Sequence, residues 1–242
     1  MSWLLVYQQN SKKMTKIFKF MALLDMGAAQ TFAACGNTGG STGTETAEWV
    51  DLGLPSGLLW ATCNLGASSP EEYGDYYAWG ETATKEMYDW STYKYCTVDA
   101  DGNPRTLTKY TRTSWGPPDN LTTLEAMDDV ATQKLGSGAR MPTKAEWGEL
   151  LNHTTAEWTT LNGVNGRKFT AANGKSLFLP AAGGRIDSEL GHAGEDGVYW
   201  SSSLSGSGPD CAWGFYFGEG GQRMYDYLRN YGPSVRPVRS AR

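Results

Sequence analysis

The chain has 242 residues, 19% charged and 40% hydrophobic, enough for one domain with a sizeable core. Its 30 Gly, 10 Trp, 13 Tyr and 7 Phe exclude a helical bundle and point to short strands joined by ordered, aromatic loops. A net charge of -5 excludes a protein that works by neutralising phosphates, because nucleic-acid binding needs clustered Lys and Arg to release counterions.

Lys12, Lys13, Lys16 and Lys19 precede a mostly apolar stretch that closes on small residues before Cys35, the anatomy of a secretory signal peptide. Phe32-Ala33-Ala34-Cys35-Gly36 resembles a bacterial lipobox, which implies that the Cys35 sulfur takes a diacylglyceryl group and that Cys35 becomes the mature N-terminus. Met14 is a better start than Met1, since it sets a short Lys-bearing segment directly before the apolar run. Asp25 interrupts that run, which costs insertion and leaves no uninterrupted span of about 18 apolar residues for a transmembrane helix. The chain is therefore divided into a signal peptide with lipobox (1–35), a flexible Gly/Thr-rich tether (36–48) and one domain (49–242). The membrane is expected as a partner only through the lipid.

Cys35, Cys63, Cys96 and Cys211 form no C-x-x-C pair and no ligand pattern with His153 or His192, so neither a metal nor a cofactor is expected. Cys63 and Cys96 either pair as a disulfide in an exported chain or stay as small buried hydrophobes.

In chain order, residues 49–67 read as two short strands about a turn at Pro55-Ser56-Gly57. Tyr73 to Tyr95 form aromatic loops without strict periodicity. Residues 97–122, with an Asp101-Gly102 turn and Pro117-Pro118, read as an exposed excursion. Asp99 and Asp101 resemble half of a calcium loop and Asp128-Asp129 adds carboxylates, but without the full loop pattern a solvated turn is expected. Thr143 and Glu146 have capping-box spacing ahead of an apolar stripe of Ala145, Trp147, Leu150 and Leu151, which predicts a helix over 143–152. Gly163, Asn165-Gly166 and Asn173-Gly174 are turn signals around strands at 167–170 and 176–179. Residues 197–204, 211–217 and 234–239 are further strand candidates. His192, Asp187, Glu189, Glu195 and Asp196 make an acidic loop that reads as a solvated charge run.

Arg140-Met141-Pro142-Thr143, Glu146-Trp147, Leu177 to Gly183, Tyr199-Trp200-Ser201-Ser202-Ser203 and Val235-Arg236-Pro237-Val238 follow one another in an order that resembles the Fibrobacter succinogenes major paralogous domain of Bacteroides-type lipoproteins. More distantly it resembles the sulfatase-modifying-factor type of C-type lectin fold. The resemblance covers residues 49 to 239 and implies an α+β, C-type-lectin-like fold: a small irregular antiparallel sheet with flanking helices and long ordered loops. Arg140 and Glu146 are then expected to fix loop backbone as scaffold. Formylglycine-generating relatives use a C-terminal cysteine pair, and Cys211 stands alone there, so no enzyme activity is expected. Calcium-bridged sugar binding is also disfavoured, because Gly208-Pro209-Asp210 is the nearest approach to the lectin motifs.

Residues 199–231 combine nine aromatics with glycine and serine in the manner of a paratope, where Tyr supplies rigid amphipathic area and Gly and Ser let the backbone adapt. The stretch also resembles the variable region of diversity-generating-retroelement target proteins. Adenine-directed mutation of an AAC codon never yields Trp, Met, Glu, Gln or Lys. Ser205, Gly208, Asp210, Cys211, Gly214, Tyr216, Gly218, Arg223, Tyr225, Asp226, Tyr227, Asn230 and Tyr231 satisfy that restriction and are the candidate ligand-binding residues. Trp200, Trp213, Glu219, Gln222 and Met224 are the expected fixed scaffold. The sequence thus predicts a surface-displayed module binding a protein or glycan. A structural adhesin or fibre subunit is the alternative, and a sulfatase-modifying-type enzyme the less favoured third.

Overall fold

The computed structural model describes residues 47–112, 116–136 and 138–241, so the expected signal peptide and the expected lipidation site Cys35 lie outside the described residues. The domain is built on antiparallel pairing. Strand β1 (Trp49–Asp51) returns as β2 (Leu58–Ala61) through the expected turn, where Gly57 at φ 68° lets its N–H reach the Leu54 carbonyl at 2.8 Å. The far side of β2 pairs with the last strand, β14 (Val238–Ser240), which in turn pairs with β5 (Ala139–Arg140). The two ends of the domain are thereby tied into one sheet.

Between them lie β3 (Cys96–Val98) with β4 (Pro104–Leu107), β6 (Thr154–Leu161) with β7 (Val164–Ala171) and β8 (Ser176–Pro180), and β9 (Gly184–Ile186) with β10 (Glu189–Gly191). The three-stranded sheet β11 (Asp196–Leu204), β12 (Cys211–Gly218) and β13 (Gly221–Leu228) completes the set. The described helices are short, α1 (Val130–Leu135) and α2 (Lys144–His153). The architecture is therefore mostly antiparallel sheet with few helices, more strand-rich than the α+β expectation.

Helix α2 starts as its sequence dictates. Thr143 Oγ1 accepts from Glu146 N, and the Glu146 carboxylate accepts from Thr143 N at 2.7 Å. Arg140 grips the same carboxylate through both terminal nitrogens at 2.5 and 2.7 Å, so the two conserve the loop path between β5 and α2. The helix then buries Trp147, which stacks on Phe215 with centroids 4.8 Å apart and tilts against Trp60 at 4.8 Å. One core gathers there with Phe169, Leu179, Tyr199 and Phe217; a second gathers the aromatic loops, burying Tyr77, Trp79, Tyr93 and Tyr110 against Trp200.

Several expectations are corrected. Segment 97–122 is not wholly an exposed excursion, because Leu107, Tyr110 and Thr111 are fully buried. Asn165-Gly166 lies inside β7 rather than at a turn: a Cβ on Gly166 would sit 2.4 Å from the Leu179 carbonyl oxygen, so this glycine permits strand contact. The turn is Asn162-Gly163, at φ 49° and 82°. Cys63 and Cys96 are not bridged to each other, since Cys96 is a free thiol. Asp128 and Asp129 are buried at 2% and 3% exposure rather than solvated, whereas Asp99 keeps to the expected turn. It accepts from Asp101 N and Asn103 N and pairs with Arg105 at 2.6 Å, whereas Asp129 caps α1.

Candidate functional site

β12 and β13 are joined by the two-residue turn Glu219-Gly220 and stay in continuous register from Gly218 opposite Gly221 to Cys211 opposite Leu228. Side chains alternate across such a ladder, so the sequence sorts itself onto two faces. Trp213, Phe215 and Phe217, with Met224 and Gln222 opposite them, share the face turned to α2 and β7; Lys144 at the start of α2 lies 3.2 Å over the Trp213 ring. Gly214, Tyr216 and Gly218, with Tyr225 and Arg223 opposite the first two, share the other face together with Tyr227.

That second face carries a row of rings. Tyr225 is 47% exposed, and Arg223 is exposed beside the half-buried Tyr216 and Tyr227. The Arg223 guanidinium sits 5.2 Å from the Tyr216 ring centre and 5.3 Å from that of Tyr225, within cation–π range. Tyr225 meets Tyr227 edge-on at 5.4 Å, and Tyr227 meets the buried Trp200 at 6.3 Å, which anchors the row to the core. Gly214 makes room for it: a Cβ there would press on the Tyr227 ring at 3.0 Å.

At the turn end the face deepens into a cleft of about 520 Å³ between Glu195, Asp196, Tyr216, Arg223 and the turn glycines. Its rim is held from behind by Arg167 on β7, which donates to the Gly218 carbonyl at 2.6 Å, the Glu219 carbonyl at 3.2 Å and the Gln222 side chain. Burial pushes the Asp196 carboxyl up to about 6; nearby His192 opposes that rise and Glu195 adds to it.

The structure brings Gly214, Tyr216, Gly218, Arg223, Tyr225 and Tyr227 together and leaves the other candidates elsewhere. Ser205 and Asn230 are 1% and 3% exposed, so neither reaches a ligand on the surface. Asp226 points to the other face, where it accepts from Ser205 Oγ at 3.2 Å and from Ser207 Oγ, fixing the loop before β12. Gly208 and Asp210 belong to that loop and Cys211 opens β12; burial, with Asp210 beside it, raises the Cys211 thiol to about 12, which disfavours a thiolate. Tyr231 lies past β13, half-buried. Sequence reasoning missed Asp196 as part of the site by reading its loop as a solvated charge run; the half-buried Asp196 is instead the first residue of β11, paired with Gly218. Its signal was the adjoining Gly197-Val198-Tyr199 strand pattern. No family model, no curated protein and no solved structure matches this chain.

Proposed function

We propose that the chain is an exported, lipid-anchored binding module of C-type-lectin-like fold, not an enzyme, and that a protein or glycan ligand lies against the open face of β12 and β13. The observation that carries this reading is the row of exposed Arg223 and Tyr225 with half-buried Tyr216 and Tyr227 on one sheet face, in a domain whose other large rings are mostly buried. Rigid Tyr and Arg on regular backbone lose little entropy on contact. The pairing of the last strand with β2 near the start of the domain, one well-capped helix and long ordered loops support the lectin-like fold.

The alternation of β12 and β13 also supports a diversified surface. Of the candidates on these strands, Gly214, Tyr216, Gly218, Arg223, Tyr225 and Tyr227 fall on the open face and Cys211 and Asp226 on the scaffold face, where the unreachable Trp213, Gln222 and Met224 also lie. Variation among isolates scattered evenly over both faces would remove that part of the reading. Membrane anchoring rests on Cys35; a thioether and a disulfide exclude each other on one sulfur, so a peptide digest that joins Cys35 to Cys63 removes the anchor.

The test is binding to arrayed glycans and to displayed surface proteins, with R223A/Y225A compared against the parent chain. Loss of two central contacts is expected to weaken binding at least a hundredfold, since hot-spot truncations cost about 2 kcal/mol or more each. Equal binding by the double variant, with its fold intact, sinks the site. A structural adhesin subunit is the second reading, favoured by the unpaired edge of β13.

A further inference from the structure

β13 is the last strand of its sheet, paired along its length with β12 alone. In a ladder closed by a two-residue turn, the pair next to the turn exchanges both hydrogen bonds and every second pair follows. The N–H and C=O groups of Gln222, Met224 and Asp226 therefore point away from β12, and among the described residues none of them has a partner. An open edge of this length is a template for another strand.

We infer that the edge of β13 pairs antiparallel with β13 of a second copy of this chain, about a two-fold axis at Met224. The choice of occupant follows from what the register sets face to face. With the axis at Met224, Arg223 lies opposite Tyr225 of the second copy, Gln222 opposite its Asp226, and Gly221 opposite its Tyr227. The guanidinium meets a ring, the amide meets a carboxylate, and no like charges oppose. Moving the axis to Arg223 sets arginine against arginine, and moving it to Tyr225 sets Asp226 against Met224; both are the poorer cross-strand pairs. The Met224 axis stands perpendicular to the sheet, so the open faces of the two copies come to lie on the same side. The Tyr/Arg surface is then doubled, which suits a multivalent ligand.

Sedimentation velocity of the full chain without ligand, over a concentration series, tests the pairing, with amide exchange read in parallel. A concentration-dependent dimer is expected, with slowed exchange at Gln222, Met224 and Asp226 and unchanged exchange along β6, the long edge strand of another sheet. Y225K, which places a lysine opposite Arg223 twice in the dimer, should weaken association roughly tenfold, whereas Y225E should strengthen it. M224P removes one outward N–H at an open edge, where proline is tolerated, and should give a folded monomer. A chain that stays monomeric throughout overturns the inference, as does protection on β6 or a shift of both Tyr225 variants in the same direction. Because no ligand is present, these outcomes are independent of whether the open face binds one.

Discussion

Replacing Arg229 by alanine is expected to destabilise the domain by about 4 kcal/mol, as the sum of unsatisfied carbonyls and a cavity. Arg229 is fully buried and its partners are neutral. Nε donates to Tyr93 Oη at 2.9 Å, Nη1 to the carbonyls of Pro209 at 3.1 Å and Tyr110 at 3.3 Å, and Nη2 to the carbonyl of Lys109 at 2.9 Å. The guanidinium plane also lies 5.0 Å from the Trp79 ring and 5.4 Å from that of Tyr93. One side chain thus joins the aromatic loops to the loop that leads into β12. Lysine cannot supply that fork, so R229K should recover only part of the loss and serves as the measurable variant if alanine does not fold. Urea unfolding at unchanged slope is the measurement; a loss below about 1 kcal/mol for R229A would show that the fork contributes no more than an average hydrogen bond.

That clamp could not be read from the sequence, because its partners stand some 20 to 136 positions away along the chain. What was legible was local. The capping box of α2 lies within four residues, and the Pro55-Ser56-Gly57 turn within three. β11 and β12 showed themselves through aromatic and β-branched runs. β13 did not: Gly221 to Leu228 presents tyrosines to solvent and Met224 and Asp226 to the scaffold, which blurs the apolar alternation that marks a half-buried strand. β6 was hidden for a similar reason, its Thr-rich run turning only Ala156 and Trp158 to the core. The candidate site was half legible. Composition located the surface, but only pairing could separate Tyr216, Arg223 and Tyr225 from the buried Ser205 and Asn230, whose residue types look equally suited to a ligand.

The second large effect is expected at Asp128, which sequence reading placed among solvated carboxylates. Its side chain is 2% exposed and accepts from Lys109 at 2.6 Å, Tyr110 Oη at 2.7 Å, Lys94 at 3.3 Å and Tyr95 Oη. Burial alone would raise its pKa, but the four donors outweigh it and hold the carboxyl down at about 2. A depressed folded value means that the unfolded chain takes up the proton first. Asp128 therefore contributes stability above the ordinary carboxylate pKa of about 4, and that contribution is lost as pH falls from there through about 2. D128N keeps the shape and one acceptor but removes the charge between two lysines, so at neutral pH it should cost about 3 kcal/mol, the low end for breaking a buried pair because Lys94 is half exposed. The gap between D128N and the parent chain should then narrow as the pH is lowered below 4, since the parent loses the same charge by protonation. Urea midpoints across that range measure it directly. A gap that stays constant down to pH 2 would mean that the donors bind the carboxyl as hydrogen-bond geometry alone, with the charge contributing nothing.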